Sequence, residues 1–198
     1  MARHVVTTPR VNNVLLIAII AINLYLIALP FVPAILFKAN QNGKDSSRAL
    51  TQKIAQGVTV PQTATNVANQ LIIPAMQYDE PIIEGKTMAA LNSGPWRIPT
   101  GSTPSSSGNT IIAGHRFTYT NPRGTFYYLN KVAVGDEIGI IWQNKTYEYK
   151  VFATEVVPPT DTAIENQTTQ PTITLFTCTP LWLPKDRLVV IAELETTS

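Results

Sequence analysis

Thr174-Leu175-Phe176-Thr177-Cys178 closes a short apolar run that begins after Pro171, and it carries the only cysteine of the 198-residue chain. Its β-branched and aromatic residues suit a strand. Arg187 follows nine residues after the cysteine and opens a second run of the same kind, 187–194. Far upstream, Ile111-Ile112-Ala113-Gly114-His115-Arg116 ends a third such run in a histidine. A thiol, an imidazole and a guanidinium at the ends of three β-like segments suffice for nucleophilic acyl transfer. The thiolate attacks, the imidazole moves protons, and a fixed positive donor meets the oxyanion. Taken singly, a cysteine in an apolar run is usually a small buried hydrophobe, and a histidine after a strand is more often structural than catalytic. Their shared position, where strands run out into polar loops, tips the reading toward a site.

Outward from these runs, the pattern stays β. Fifteen prolines and many Val, Ile and Thr disfavour a helical domain. Strands are expected at 71–76, 81–84, 110–113, 137–142, 146–152, 172–177 and 187–194, with 154–157 extending or following the fifth. Tyr147, Tyr149 and Val151 alternate with Glu148 and Lys150, the period of a half-exposed strand, and Gln143-Asn144-Lys145 supplies the turn before it. The stretches 95–99, 101–108, 118–125 and 179–186 read as loops, 126–129 as a turn or short helix, and 158–170 as a polar loop with a short turn at 162–166. Many short strands with such turns suggest a closed barrel, which removes free edges. Trp96 reads as a packing residue.

The N-terminal third differs. Val14 begins 24 residues without a charge, ending at Phe37 and broken by Asn23, Pro30 and Pro33. At about 1.5 Å per residue this crosses a hydrocarbon core of about 30 Å. It is longer than the apolar core of a signal peptide, and Phe37-Lys38-Ala39 makes a poor cleavage site. A retained anchor over 14–37 is therefore expected, preceded by a basic tail, 1–13, and followed by a spacer, 38–69, rich in Gln, Asn, Thr, Ser and Ala. Residues 1–69 hold six basic side chains and one acidic, a net of +5, and 70–198 hold nine and twelve, a net of −3. The basic excess flanks the apolar run and suits membrane lipid headgroups, whereas the acidic remainder shows no nucleic-acid footprint. Basic residues flank the run on both sides, so charge alone does not orient it. A single cysteine excludes an internal disulfide, and no CxxC or His-rich cluster suggests a metal site.

The three motifs, in this order and at this spacing, resemble those of the sortases, the membrane-anchored cysteine transpeptidases of bacterial surfaces. Thr174-Leu175-Phe176-Thr177-Cys178 is similar to their TLxTC signature, Ala113-Gly114-His115-Arg116 to the segment carrying their histidine, and Arg187-Leu188-Val189-Val190 to the strand carrying their arginine. The resemblance covers about residues 70 to 194. Gly94-Pro95, Gly108-Asn109, Gly135-Asp136-Glu137 and the short Cys-to-Arg spacing are closest to classes D and E. Gly94-Pro95-Trp96 is only superficially similar to the lid motif of class C pilin sortases, for it lacks the aspartate and precedes the histidine strand too closely.

The resemblance implies a mainly β fold: a closed barrel of the sortase type with short helices, residues 70–198, behind an N-terminal transmembrane helix. It places the tail in the cytoplasm, the anchor as a single pass, and the spacer and catalytic domain outside the cell membrane. Cys178 would be the nucleophile, His115 the general acid and base, and Arg187 the donor to the oxyanion or substrate carbonyls, with Thr177 lining the substrate site. Cys178 and His115 need not form a tight ion pair. Leu181 and Trp182, between the cysteine and the arginine, would shape that groove or pack on the barrel. The implied partners are secreted proteins with a C-terminal LPxTG- or LAxTG-like signal, cut between Thr and Gly, and an amine of a cell-wall precursor or a pilin lysine. No cofactor is implied, and no loop carboxylates match the calcium site of some class A enzymes. Two alternatives stay open: a hydrolase on the same scaffold, and a non-catalytic surface β-domain. Arg187 has its own rival role, an ion pair with Asp186 or with a carboxylate from another strand.

Overall fold

The computed structural model describes residues 9–40, 52, 68–104, 106–118, 121, 125–181 and 183–195. Its strands are β1 (Gln70–Ile73), β2 (Tyr78–Pro81), β3 (Ile83–Glu84), β4 (Trp96–Arg97), β5 (Asn109–Ala113), β6 (Glu137–Trp142), β7 (Lys145–Val157), β8 (Thr172–Thr179) and β9 (Asp186–Leu194). They form one sheet in the order β2-β1-β6-β7-β9-β8-β5-β4-β3. The two strands at its ends are consecutive in the chain, separated by Ile82 alone. The Ile82 N–H donates to Asn69 O at 2.7 Å on the β1 side, and the next N–H, of Ile83, donates to Pro95 O at 2.8 Å on the β4 side. One extended segment thus borders both ends of the sheet and bends it into a nearly closed barrel. Glu84 and Arg97, paired in the β3–β4 register, lock that seam with a two-point charged contact, Nε to Oε1 at 2.7 Å and Nη2 to Oε2 at 2.6 Å.

Period-two alternation fills the barrel. Ile173 and Leu175 of β8 point inward with Ile112, Ile138, Ile140, Tyr149, Val190 and Ala192, and Phe126 and Leu129 join them from the connection after β5. Each such large apolar side chain contributes about 2 kcal/mol when fully buried. The β6–β7 hairpin turns on Gln143 and Asn144, with φ of 51° and 66°, the two-residue turn whose twist matches its strands.

Several expected boundaries shift. The segments 146–152 and 154–157 are one strand, β7, with a register break between Val151 and Ala153, so a bulge had looked like an end. The strand expected over 71–76 stops at Ile73, where Pro74 starts a single 3-10 turn. Strand pairing continues at 78–81, whose acidic and proline residues hid it, and Trp96, expected in a loop, lies in two-residue β4.

The outer face of β5, β8 and β9 is covered by the loop between β7 and β8. Asn109, 2% exposed, ties it down. Its Nδ2 donates to Ile164 O and Asn166 O, both at 3.1 Å, its Oδ1 accepts from Thr174 Oγ1 at 2.9 Å, and its backbone N–H donates to Gln167 Oε1 at 3.1 Å. Ile164, in the 3-10 turn Ala163–Glu165, packs with Val157 and Val189. Beside this knot Gly108 has φ +107°, and a Cβ there would sit 2.1 Å from Ser102 Oγ. A groove of about 590 Å³ runs along this face, lined by Asn109, Gln167, Thr172, Thr174 and Glu193 among others.

Ahead of the barrel come α1 (Pro9–Ala28), a 3-10 turn at Leu29–Phe31 and α2 (Val32–Asn40). The uncharged run is thus two helices about a proline-centred turn, and Val11–Phe31 has the length and apolar composition to cross a membrane. Its end meets the barrel: Tyr127 Oη donates to Pro30 O at 3.2 Å, and Phe37 stacks on Tyr128 at 4.2 Å. Most of the expected spacer, 38–69, and most of the tail, 1–13, lie outside the described residues.

Asn109→Ala would leave two carbonyls and a hydroxyl without partners. It is expected to cost about 3 kcal/mol, read as a lower urea midpoint at unchanged slope.

Candidate active site

Strand register assembles the site. β5 runs parallel to β8 with Ala113 beside Phe176, and the Gly114 N–H donates to Phe176 O at 3.0 Å. His115 follows two residues past the last β5–β8 pair, on the same side of β8 as that pairing. On the other side β8 runs antiparallel to β9, with Cys178 directly opposite Arg187. The row across the site is therefore the Cys178–Arg187 cross-strand pair, with His115 in the segment that leaves the end of neighbouring β5. Cys178 is exposed and carries a free thiol.

Gly114 has a specific reason to precede His115. A Cβ there would fall 2.5 Å from the ring of Phe126, which is fully buried. The Phe126 N–H also donates to His115 O at 2.8 Å. Glycine lets this ring press on the backbone beside the histidine and fix where the strand ends.

The His115 Nε2 meets Asn92 Oδ1 at 3.1 Å. An amide oxygen only accepts, so Nε2 is the protonated nitrogen in the neutral ring, and Nδ1 is the one left to gain or lose a proton. Burial lowers the His115 pKa below its ordinary value of 6.5. The following Arg116 donates from Nη2 to Asn130 Oδ1 at 2.8 Å, and burial lowers its pKa also.

Arg187 lies with its guanidinium 5.1 Å from the centre of the Phe176 ring and its Nη1 3.5 Å from Glu165 Oε1. Its carboxylate partner comes from the turn in the covering loop, not from Asp186. Among the described residues no hydrogen bond reaches the guanidinium, and the buried Nη1 is without one.

Thr177 is not brought to this row. It stands opposite Leu188 on the barrel side of β8, 1% exposed, with Oγ1 lacking a hydrogen-bond partner among the described residues. The reason is the strand's own alternation, which turns neighbours of Cys178 to the other face. Leu181 is half-buried, and Trp182 falls outside the described residues. Sequence reasoning passed over Asn92 and Glu165. Asn92 precedes Ser93-Gly94, a turn signal, and Glu165 sits in the short turn expected at 162–166, but nothing local names their distant partners. Among the described residues no group of three or more His, Cys, Asp and Glu could hold a metal ion.

A family model of the sortase domain matches residues 71–195. Sortase SrtE1 of Streptomyces coelicolor is 31% identical over 102 residues, 47% of this chain and 28% of that relative's length, so the chain spans well under half of it. Among solved structures, a lid mutant of sortase A from Corynebacterium diphtheriae is 27% identical with a TM-score of 0.61, over 78% of this chain and 94% of that one. The sortase D5 transpeptidase of Clostridium perfringens is 27% identical with a TM-score of 0.58, over 77% and 98% respectively.

The lowered pKa of His115 has a defined sign. The folded chain takes up this proton less readily than the unfolded chain, so stability falls as pH drops below 6.5 toward the folded value, and the effect is absent above it. His115→Gln should flatten this part of the stability–pH curve. An NMR titration should place the imidazole midpoint below 6.5.

Proposed function

Because the chain belongs to the sortase family, we propose that it is a membrane-anchored cysteine transpeptidase. It cuts an LPxTG- or LAxTG-like sorting signal between Thr and Gly and passes the acyl group to an amine of the cell wall or of a pilin subunit. The observation that carries this reading is the register that sets Cys178 opposite Arg187, beside the end of the β5 strand from which the chain runs on to His115. Residues 14–37 hold the protein in the membrane as a single pass, with 38–69 as spacer and 70–198 as catalytic domain outside. The apolar span Val11–Phe31 supports the anchor.

In this mechanism the Cys178 sulfur attacks the threonyl carbonyl carbon, and the carbonyl electron pair moves to oxygen. The guanidinium of Arg187, a cationic donor that stays protonated, meets that oxyanion. As the tetrahedral species collapses, the C–N bond to glycine breaks and His115 supplies a proton to the leaving amine, leaving a thioester on Cys178. The incoming amine attacks the thioester carbonyl, and His115 takes a proton from it. As the tetrahedral species collapses the C–S bond breaks and the Cys178 sulfur leaves as thiolate, restoring the starting protonation states. Asn92 keeps the proton on Nε2, so Nδ1 does the exchanging. The lowered pKa of His115 means that the acid form is scarce at neutral pH, so turnover depends on a minor protonation state. Transfer to an amine is favoured over transfer to water by the family membership. Thr177, facing the barrel, serves the site as a wall behind Cys178.

Cys178→Ala should abolish the thioacyl adduct seen by mass spectrometry with LPxTG and LAxTG peptides, since the chain has no other thiol. Adding an amine to the wild-type reaction should divert product from hydrolysis to transfer. Arg187→Lys keeps the charge but loses the planar fork. It should cost about 3–4 kcal/mol in transition-state stabilisation, roughly the effect of losing one oxyanion donor. Near-normal transpeptidation by that variant would remove Arg187 from the mechanism.

The anchor is tested by sequencing the mature N-terminus from membranes: the full run should be retained, and a start near residue 40 would defeat it.

A further inference from the structure

We infer that Glu165 is a positioning residue for Arg187: its carboxylate steers the guanidinium beside Cys178 while leaving the N–H donors unspent. The inference rests on the role given to Arg187 above.

The contact has unusual terms. At 3.5 Å the Glu165–Arg187 pair attracts by charge without a hydrogen bond, and among the described residues the buried Nη1 has no acceptor. Phe176 offers its ring face at 5.1 Å, a second attraction that uses no N–H group. A two-point hydrogen-bonded pair, like that of Glu84 with Arg97, would have consumed the fork. Here Glu165 supplies orientation at the buried Nη1, and Nε and Nη2, without hydrogen-bond partners among the described residues, are kept for a substrate carbonyl or an oxyanion. The side chains are 25% and 30% exposed, so solvent only partly screens the pair.

Glu165 is itself held from both sides. Its N–H donates to Thr162 O at 3.0 Å, and the neighbouring Ile164 carbonyl accepts from Asn109 Nδ2 at 3.1 Å. Asp161 Oδ1 accepts from the Ala163 N–H at 2.9 Å, and Ile164 is seated with Val157 and Val189. Asp186, adjacent to Arg187 in sequence, is not the residue that pairs with it.

The test uses the full chain in detergent micelles and single-turnover acylation by fluorogenic peptides bearing the LAxTG and LPxTG motifs. Glu165→Gln should slow acylation about tenfold, mid-range for coupled contacting residues. The loss should fall on kcat rather than KM, with the melting temperature little changed. Glu165→Asp should recover part of the rate. In an Arg187→Ala background Glu165→Gln should have no further effect. Equal slowing in both backgrounds would overturn the inference, because Glu165 would then act without Arg187. Full activity of Glu165→Gln alongside a slow Arg187→Lys would overturn it and leave the role of Arg187 standing. Full activity of both variants would instead overturn the role of Arg187, and this inference with it.

Discussion

A single buried carboxamide, that of Asn109, sets the terms for the outer face of this barrel. In a site with almost no solvent, a donor or acceptor left unmatched costs about 1–3 kcal/mol. The amide therefore dictates where its partners go: two loop carbonyls on one side and the Thr174 hydroxyl on the other. Of the whole β7–β8 loop only Ala163–Glu165 is helical. Its shape comes from polar matching against an apolar wall rather than from regular structure.

The reactive row inherits a different kind of security. Slipping one strand by a residue would turn Ile173 and Leu175 out of the barrel and Thr174 into it, so the core enforces the register. That same register sets Cys178 against Arg187. Packing energy spread over the barrel thus fixes the backbone of the site. The side chains are then set by single contacts: Asn92 for His115, Phe176 and Glu165 for Arg187.

These two layers differ in how plainly they can be read from residues. Val-, Ile- and Thr-rich runs with period-two alternation give away β5 to β9, and the ends of three of them give away the histidine, cysteine and arginine. The hairpin at Gln143-Asn144 is visible because a tight turn restricts which residues tolerate positive φ. The short strands β2 and β4 are not visible, and β3 shows only as the end of the strand expected at 81–84. Two to four residues carry no period, and their pairing comes from closing the sheet, not from propensity. Thr177 was expected to line the substrate site from the resemblance; its side chain lies on the barrel face of β8, the face opposite Cys178. Asn92 and Glu165 were beyond reach for another reason. Each meets its partner over more than twenty residues of chain, and an isolated Asn or Glu in a turn looks like any solvated surface residue.

The segment 78–84 gives up one end of the sheet and takes up the other at consecutive amides. Under the proposed function this matters beyond stability. An open sheet edge is a row of unspent amides and carbonyls that captures any passing strand by backbone pairing alone, whatever its side chains. By sealing most of that row on itself, and by placing Pro81 at the crossing, the barrel is poor bait for unrelated polypeptides. For the proposed transpeptidase, a substrate chain would then be held chiefly by what its side chains and carbonyls find beside Cys178, and discrimination would rest on chemistry at one spot and not on general stickiness.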